Sequence, residues 1–131
     1  MRSKILKTLD ARDSEQWREW LAKHHWSESE VWLVFHKRHT GRPCVAYDDA
    51  VDEALCFGWI DGQSKKHDDE SWIQKFTPRR KRSMWSKRNI ENVERLIKED
   101  RMKEKGLEEF KNARDDGRHA LGEHQVLAAA G

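Results

Sequence analysis

Residues 47–62 read Tyr-Asp-Asp-Ala-Val-Asp-Glu-Ala-Leu-Cys-Phe-Gly-Trp-Ile-Asp-Gly, and within them the chain changes its period. Tyr47, Val51, Ala54 and Leu55 recur at helical spacing, with Asp48 and Asp49 in the first turn, where the helix dipole favours acids. Gly58 then offers the left-handed backbone that ends helices, and Trp59-Ile60 starts a strand. A helix over 47–57 that feeds directly into a strand predicts a mixed α and β architecture. Ala46 stands where Ser, Thr or Asp would cap this helix, an omission worth about 1 kcal/mol.

Upstream, Val31-Trp-Leu-Val-Phe35 is a run of β-formers too short for a helix, and the polar stretch His36 to Pro43 ends it, which predicts a central strand. Before it, Asp13 and Ser14 are N-cap candidates with Gln16 three residues after Asp13, and Trp17, Trp20, Leu21 and His24 follow at helical spacing. A helix over 14–24 results. Downstream, Trp72-Ile-Gln-Lys-Phe76 reads as a strand closed by Pro78 and joined to Trp59-Ile60 by a loop or hairpin over Asp61 to Ser71. Ser86 then caps a third helix whose stripe is Ile90, Val93, Leu96 and Ile97, with Trp85 placed to staple onto Ile90. A more polar fourth helix carries Leu107 and Phe110 and stops near Gly117. The expected fold is α+β, a small, largely antiparallel sheet of about three strands covered by about four helices in the order αβαββαα. Residues 1–118 form its single domain and 119–131 a tail.

Composition sets limits on partners. Of 131 residues, 38% are charged and only 36% apolar, a balance that would suggest disorder but for seven tryptophans, each able to bury a large apolar area. The formal net charge is only +2, so a nucleic acid or an anionic membrane would have to be held by a local patch. No stretch approaches membrane-spanning length, and the basic opening Met1 to Lys7 leads into no apolar run, so membrane insertion is not expected. The expected location is the cytoplasm, with Cys44 and Cys56 reduced.

Three blocks carry a family resemblance: Glu30-Val-Trp-Leu-Val-Phe-His-Lys37, the stretch 47–62, and Phe76-Thr-Pro-Arg-Arg80 followed by Trp85-Ser-Lys87. In this order they resemble the YdeI/OmpD-associated family across roughly Leu9 to Gly117. The resemblance implies a role in protection against bacteriocins or antimicrobial peptides and brings no catalytic residues with it. The final stretch, His119 to Gly131, does not resemble the C-terminal helical segment of longer members.

Two constellations are candidates for a binding face. Arg79, Arg80, Lys81 and Arg82, with Lys87 and Arg88 beyond, run without an acid toward a helix N-terminus, which suits phosphate or carboxylate, or equally a solvated loop. Trp59 and Asp61, each beside a glycine, stand at tight turns. There they either present an aromatic wall and a carboxylate to a Lys- or Arg-rich peptide, or fill the core and cap the turn. The ligand face is expected at Trp59, Asp61, Arg79, Arg80, Arg82 and Lys87, for a peptide or an anionic ligand. Nucleic acid or a nucleotide is the rival occupant, stacked on Trp72 and Trp85. His36, His39, Cys44 and Cys56 match no standard zinc spacing, and neither a phosphate-binding glycine loop nor a serine elbow is present. A Cys56, His67 and Asp61 set requires a fold that gathers them. No cofactor, metal site or catalytic residue is therefore expected, and the reading is a non-enzymatic binding protein.

Overall fold

The computed structural model describes residues 7–80 and 84–115, so Arg82, the expected helix stop near Gly117 and the tail over 119–131 lie outside the described residues. The described chain runs through β1 (Thr8–Leu9), α1 (Ser14–His24), β2 (Val31–His36), α2 (Tyr47–Cys56), β3 (Trp59–Asp68), β4 (Ser71–Pro78), α3 (Lys87–Lys98) and α4 (Glu104–Asp115). The fold is the expected α+β with four helices among the described residues and a largely antiparallel sheet, which has four strands in the order β1-β2-β4-β3 where about three were expected.

One strand is added to the expected set and another is longer than expected. The short β1 lies parallel to β2, with Leu9 beside Leu33. Strand β3 does not end at Ile60: it stays paired with β4 to the turn at Asp69 and Glu70, with bulges between Asp61 and Ser64 and between Lys66 and Asp68. Its exposed, charged outer half, residues 62–68, is held by backbone pairing instead of burial, and charge on an edge strand discourages pairing with another chain. Gln74, buried on β4, donates its side-chain amide to the carbonyl of Gly62 across the first bulge.

The helices pack on one side of the sheet. Val31, Leu33 and Phe35 of β2 and Phe76 of β4 meet Trp17, Leu21, Leu55, Val93 and Leu96 there, while Trp32, Val34 and Ile73 form a separate small cluster on the other side. Trp17 donates its indole N–H to the carbonyl of Ala50 at 2.9 Å, which ties α1 to α2. Two of the helix starts follow from their capping chemistry. Asp13 accepts the Gln16 N–H and Ser86 accepts the Asn89 N–H, whereas Ala46 begins α2 without a side-chain cap.

Helix ends matter as much. Gly58, at φ 77°, turns the chain from α2 into β3, a conformation that a side chain would strain. At the end of α3 Asp100 takes φ 58° and the Arg101 N–H returns to the carbonyl of Leu96, which turns Arg101 back toward α2. Helix α4 seats its first turn on the end of α2, where the Lys103 N–H bonds to the carbonyl of Cys56 at 2.9 Å. The fit depends on Gly106. A Cβ there would come within 2.6 Å of the Leu55 oxygen and closer still to that of Cys56.

No helix among the described residues is long and apolar enough to cross a membrane.

Candidate functional site

A cleft of 560 Å³ lies where the N-termini of α2 and α3 face the start of β3. Tyr47 and Asp48 come from the first turn of α2, Asp61 from β3, and Arg88, Asn89 and Arg95 from α3. Each is placed by an interaction already described: the reversal at Gly58 brings Asp61 back beside Tyr47, and the Ser86 cap fixes the first turn of α3.

Tyr47 donates its hydroxyl to the Asp61 carboxylate. Burial, and then that carboxylate, raise the phenol well above its ordinary range, so Tyr47 remains a donor at any physiological pH. Asp52 is committed elsewhere, since Arg95 donates to both of its oxygens at 2.8 and 2.9 Å. Asp48 and Arg88 are both exposed, and 3.9 Å separates them, a loose pair that solvent screens. Among the described residues three carboxylates and two guanidinium groups line the cleft, and after the Asp52–Arg95 pair is discounted two acids face one base.

The residues expected to form the ligand face divide. Asp61 lines the cleft. Trp59 does not form its wall: the ring is 1% exposed, lies in the core against Trp20, and donates its N–H to the carbonyl of His25 at 3.1 Å. Arg79 is buried as well. Its guanidinium lies 3.8 Å from the centroid of Trp85 and donates to the carbonyl of Met84, while its backbone N–H bonds to Gly58. Asp61 bonds to Tyr47 and Arg79 lies on Trp85, and of the two only Asp61 lines the cleft. Arg80 and Lys87 are exposed outside the cleft lining, and Arg82 lies outside the described residues. Trp85, 2% exposed and edge-on to Phe110, is no stacking surface, and it joins Ile90 in the main core.

The Cys56, His67 and Asp61 set is not assembled. Asp61 pairs with Phe76 near the start of β3, whereas His67 bonds to Ser71 Oγ at the far end of the same strand. Burial, and then the charge of Glu53, push the Cys56 thiol up to about 12, which leaves it a protonated core residue. Among the described residues no three of His, Cys, Asp and Glu gather as metal ligands. His36 instead meets Asp10 at 3.0 Å.

A buried charge cluster escaped the sequence reading. Glu53, 2% exposed on α2, accepts both Arg18 Nε and Nη2, at 2.9 and 2.8 Å, and Arg101 Nη2 at 3.0 Å. With Asp52 and Arg95 it ties α1, α2, α3 and the α3–α4 turn together. One trace of this was visible: Asp52 and Glu53 interrupt the apolar pattern of α2 at positions that its packing buries.

Residues 9–109 match a family model described as a domain of unknown function (DUF8412). No curated protein and no solved structure matches the chain.

Proposed function

The chain belongs to the DUF8412 family, a domain of unknown function, and from the cleft between α2 and α3 we propose that it is a non-enzymatic binding domain for short cationic peptides. The observation that carries this reading is that Asp48 and Asp61 line one cleft beside Tyr47, with Asp52 already neutralised by Arg95. A Lys or Arg side chain entering the cleft meets carboxylates for its charge and an aromatic face for its stem, while Asn89 and Asn92 can pair with peptide backbone. The inward turn of Arg79 and burial of Trp85 weigh against the rival nucleic-acid reading of the basic segment 79–88.

The resemblance to the YdeI/OmpD-associated family supports the same class of ligand, because bacteriocins and antimicrobial peptides are peptides or proteins to be captured. Cytoplasmic residence with free thiols belongs to the proposal, and Cys44 and Cys56 are unpaired.

The test is fluorescence anisotropy of a labelled Lys/Arg-rich decapeptide against the wild-type chain and an Asp48→Asn/Asp61→Asn variant, in which the amide oxygen at position 61 still accepts from Tyr47. Loss of about tenfold in affinity, with the unfolding midpoint preserved, is expected. Equal binding of an acidic analogue, or an unchanged affinity in the variant, refutes the reading.

A further inference from the structure

On the other side of Tyr47 a second pocket, of 570 Å³, opens over the end of β2 and the loop after it. Its floor is aromatic. Trp72 stacks on Phe35 with centroids 4.5 Å and planes 13° apart, and Tyr47 leans on the pair at 5.8 Å from Phe35 and 6.1 Å from Trp72. Phe35 is buried, but Trp72 is half-buried and Tyr47 is 37% exposed, and both line the pocket.

The rim is cationic. Lys37, Arg38 and Arg42 line the pocket on a short 3-10 turn at Arg38–Thr40 and the residues beside it, and all three are exposed. Among the described residues no salt bridge involves them and no Asp or Glu lines the pocket. Three like charges on one short loop attract an anion more strongly than any one of them does, to the extent that solvent and salt leave them unscreened. Arg18, Arg95 and Arg101, by contrast, each hold a carboxylate.

We infer that this shelf binds a small planar aromatic anion of the mononucleotide type, its base stacked on Trp72 and Tyr47 and its phosphate held by Arg38 and Arg42. Stacking and guanidinium forks are the two contacts such a ligand needs, and the pocket volume is within the roughly 300–1,000 Å³ usual for small-ligand sites. A polynucleotide fits less well. Beyond Tyr47, Asp48 and Asp61 stand against Arg88 once Asp52 and Arg95 are paired, and this acidic excess disfavours a phosphate chain continuing in that direction. This inference stands apart from the peptide reading, with which it shares only the Tyr47 wall.

Isothermal titration of the full chain with adenosine 5′-monophosphate, with adenosine and with inorganic phosphate tests both halves of the site. The nucleotide is expected to bind about tenfold or more tighter than adenosine or phosphate alone. Its affinity should weaken as salt rises, and should fall at least about tenfold in an Arg38→Glu/Arg42→Glu variant whose unfolding midpoint is unchanged. Both substitutions are on exposed side chains, so loss of binding is not loss of fold. Absence of nucleotide binding at millimolar concentration, indifference to the double substitution, or equal binding of phosphate alone overturns the inference. So does tighter binding, per nucleotide, of an oligonucleotide.

Discussion

Two groups of arginines share a residue type and little else. Around α2, Arg18, Arg95 and Arg101 close on Asp52 and Glu53 from three different parts of the chain. On the shelf, Arg38 and Arg42 project beside Lys37 with no acid among the described residues that line the pocket with them. The first group spends its charge inside the protein and the second keeps it available. In a chain of small net charge, what matters for recognition is therefore which charges remain unpaired, and composition cannot report that.

Arg79 belongs with the first group, and the substitution with the largest expected effect tests that placement. Trp85→Ala removes both a core ring and the surface on which Arg79 lies, and should cost about 3–5 kcal/mol in chemical denaturation. A cost under about 1 kcal/mol would move Arg79 into the available group and reopen the basic segment as a binding face.

Next in size is Glu53→Ala, which leaves Arg18 and Arg101 facing a vacated acceptor. Removing one partner of a fully buried pair costs about 3–5 kcal/mol, but the guanidinium side chains here are 44% and 37% exposed and regain water, so about 2–3 kcal/mol is expected from urea unfolding. If Glu53→Leu proves as stable as wild type, the cluster contributes specificity of packing instead of net stability.

Ala46 borders the shelf and opens α2 without a side-chain acceptor, although its φ of −70° and ψ of 145° suit a capping residue. Ala46→Ser should raise stability by about 0.5–1 kcal/mol, read as a higher denaturant midpoint. No gain would mean that the first-turn acids Asp48 and Asp49 already satisfy this end of the helix.

The smallest effect on folding is expected where the effect on binding is largest. Arg38→Ala/Arg42→Ala should leave the unfolding free energy within about 0.5 kcal/mol of wild type. A larger loss would show these two cations to be structural and would collapse the distinction between the settings.

Legibility in the sequence followed side-chain burial. Helix α1 could be placed at 14–24 because Trp17 and Leu21 share a buried face behind an Asp13 cap, and Ser86 marked α3 through its own hydroxyl. Strand β3 could not be followed past Ile60, since backbone hydrogen bonds to β4 hold its exposed half and leave no trace in residue type. The two residues of β1 are too few to show a period. At the site, Asp61 stood out between Ile60 and Gly62 next to a turn, but its partner Tyr47 is fourteen residues away and its link is purely tertiary. Arg79 was misplaced because a guanidinium buried on an indole and one in water look alike in a basic run. The shelf was missed for the opposite reason. Its cations sit in a loop that sequence treats as a connector, and the aromatic floor comes from β2, α2 and β4 together.

The seat of α4 on α2 has a kinetic consequence. Gly106 is pressed against the carbonyls of Leu55 and Cys56, and the Cys56 side chain, 1% exposed, is sealed in the core at this junction. An alkylating reagent that reaches Cys56 must wait for the junction to part, by release of α4 or by wholesale unfolding. Under conditions where reclosing outruns alkylation, the labelling rate of Cys56 relative to the fully unfolded chain measures the free energy of the cheapest such opening. If that free energy is clearly below the global value, α4 leaves as a unit of its own, and Cys56 is a built-in clock for its departure.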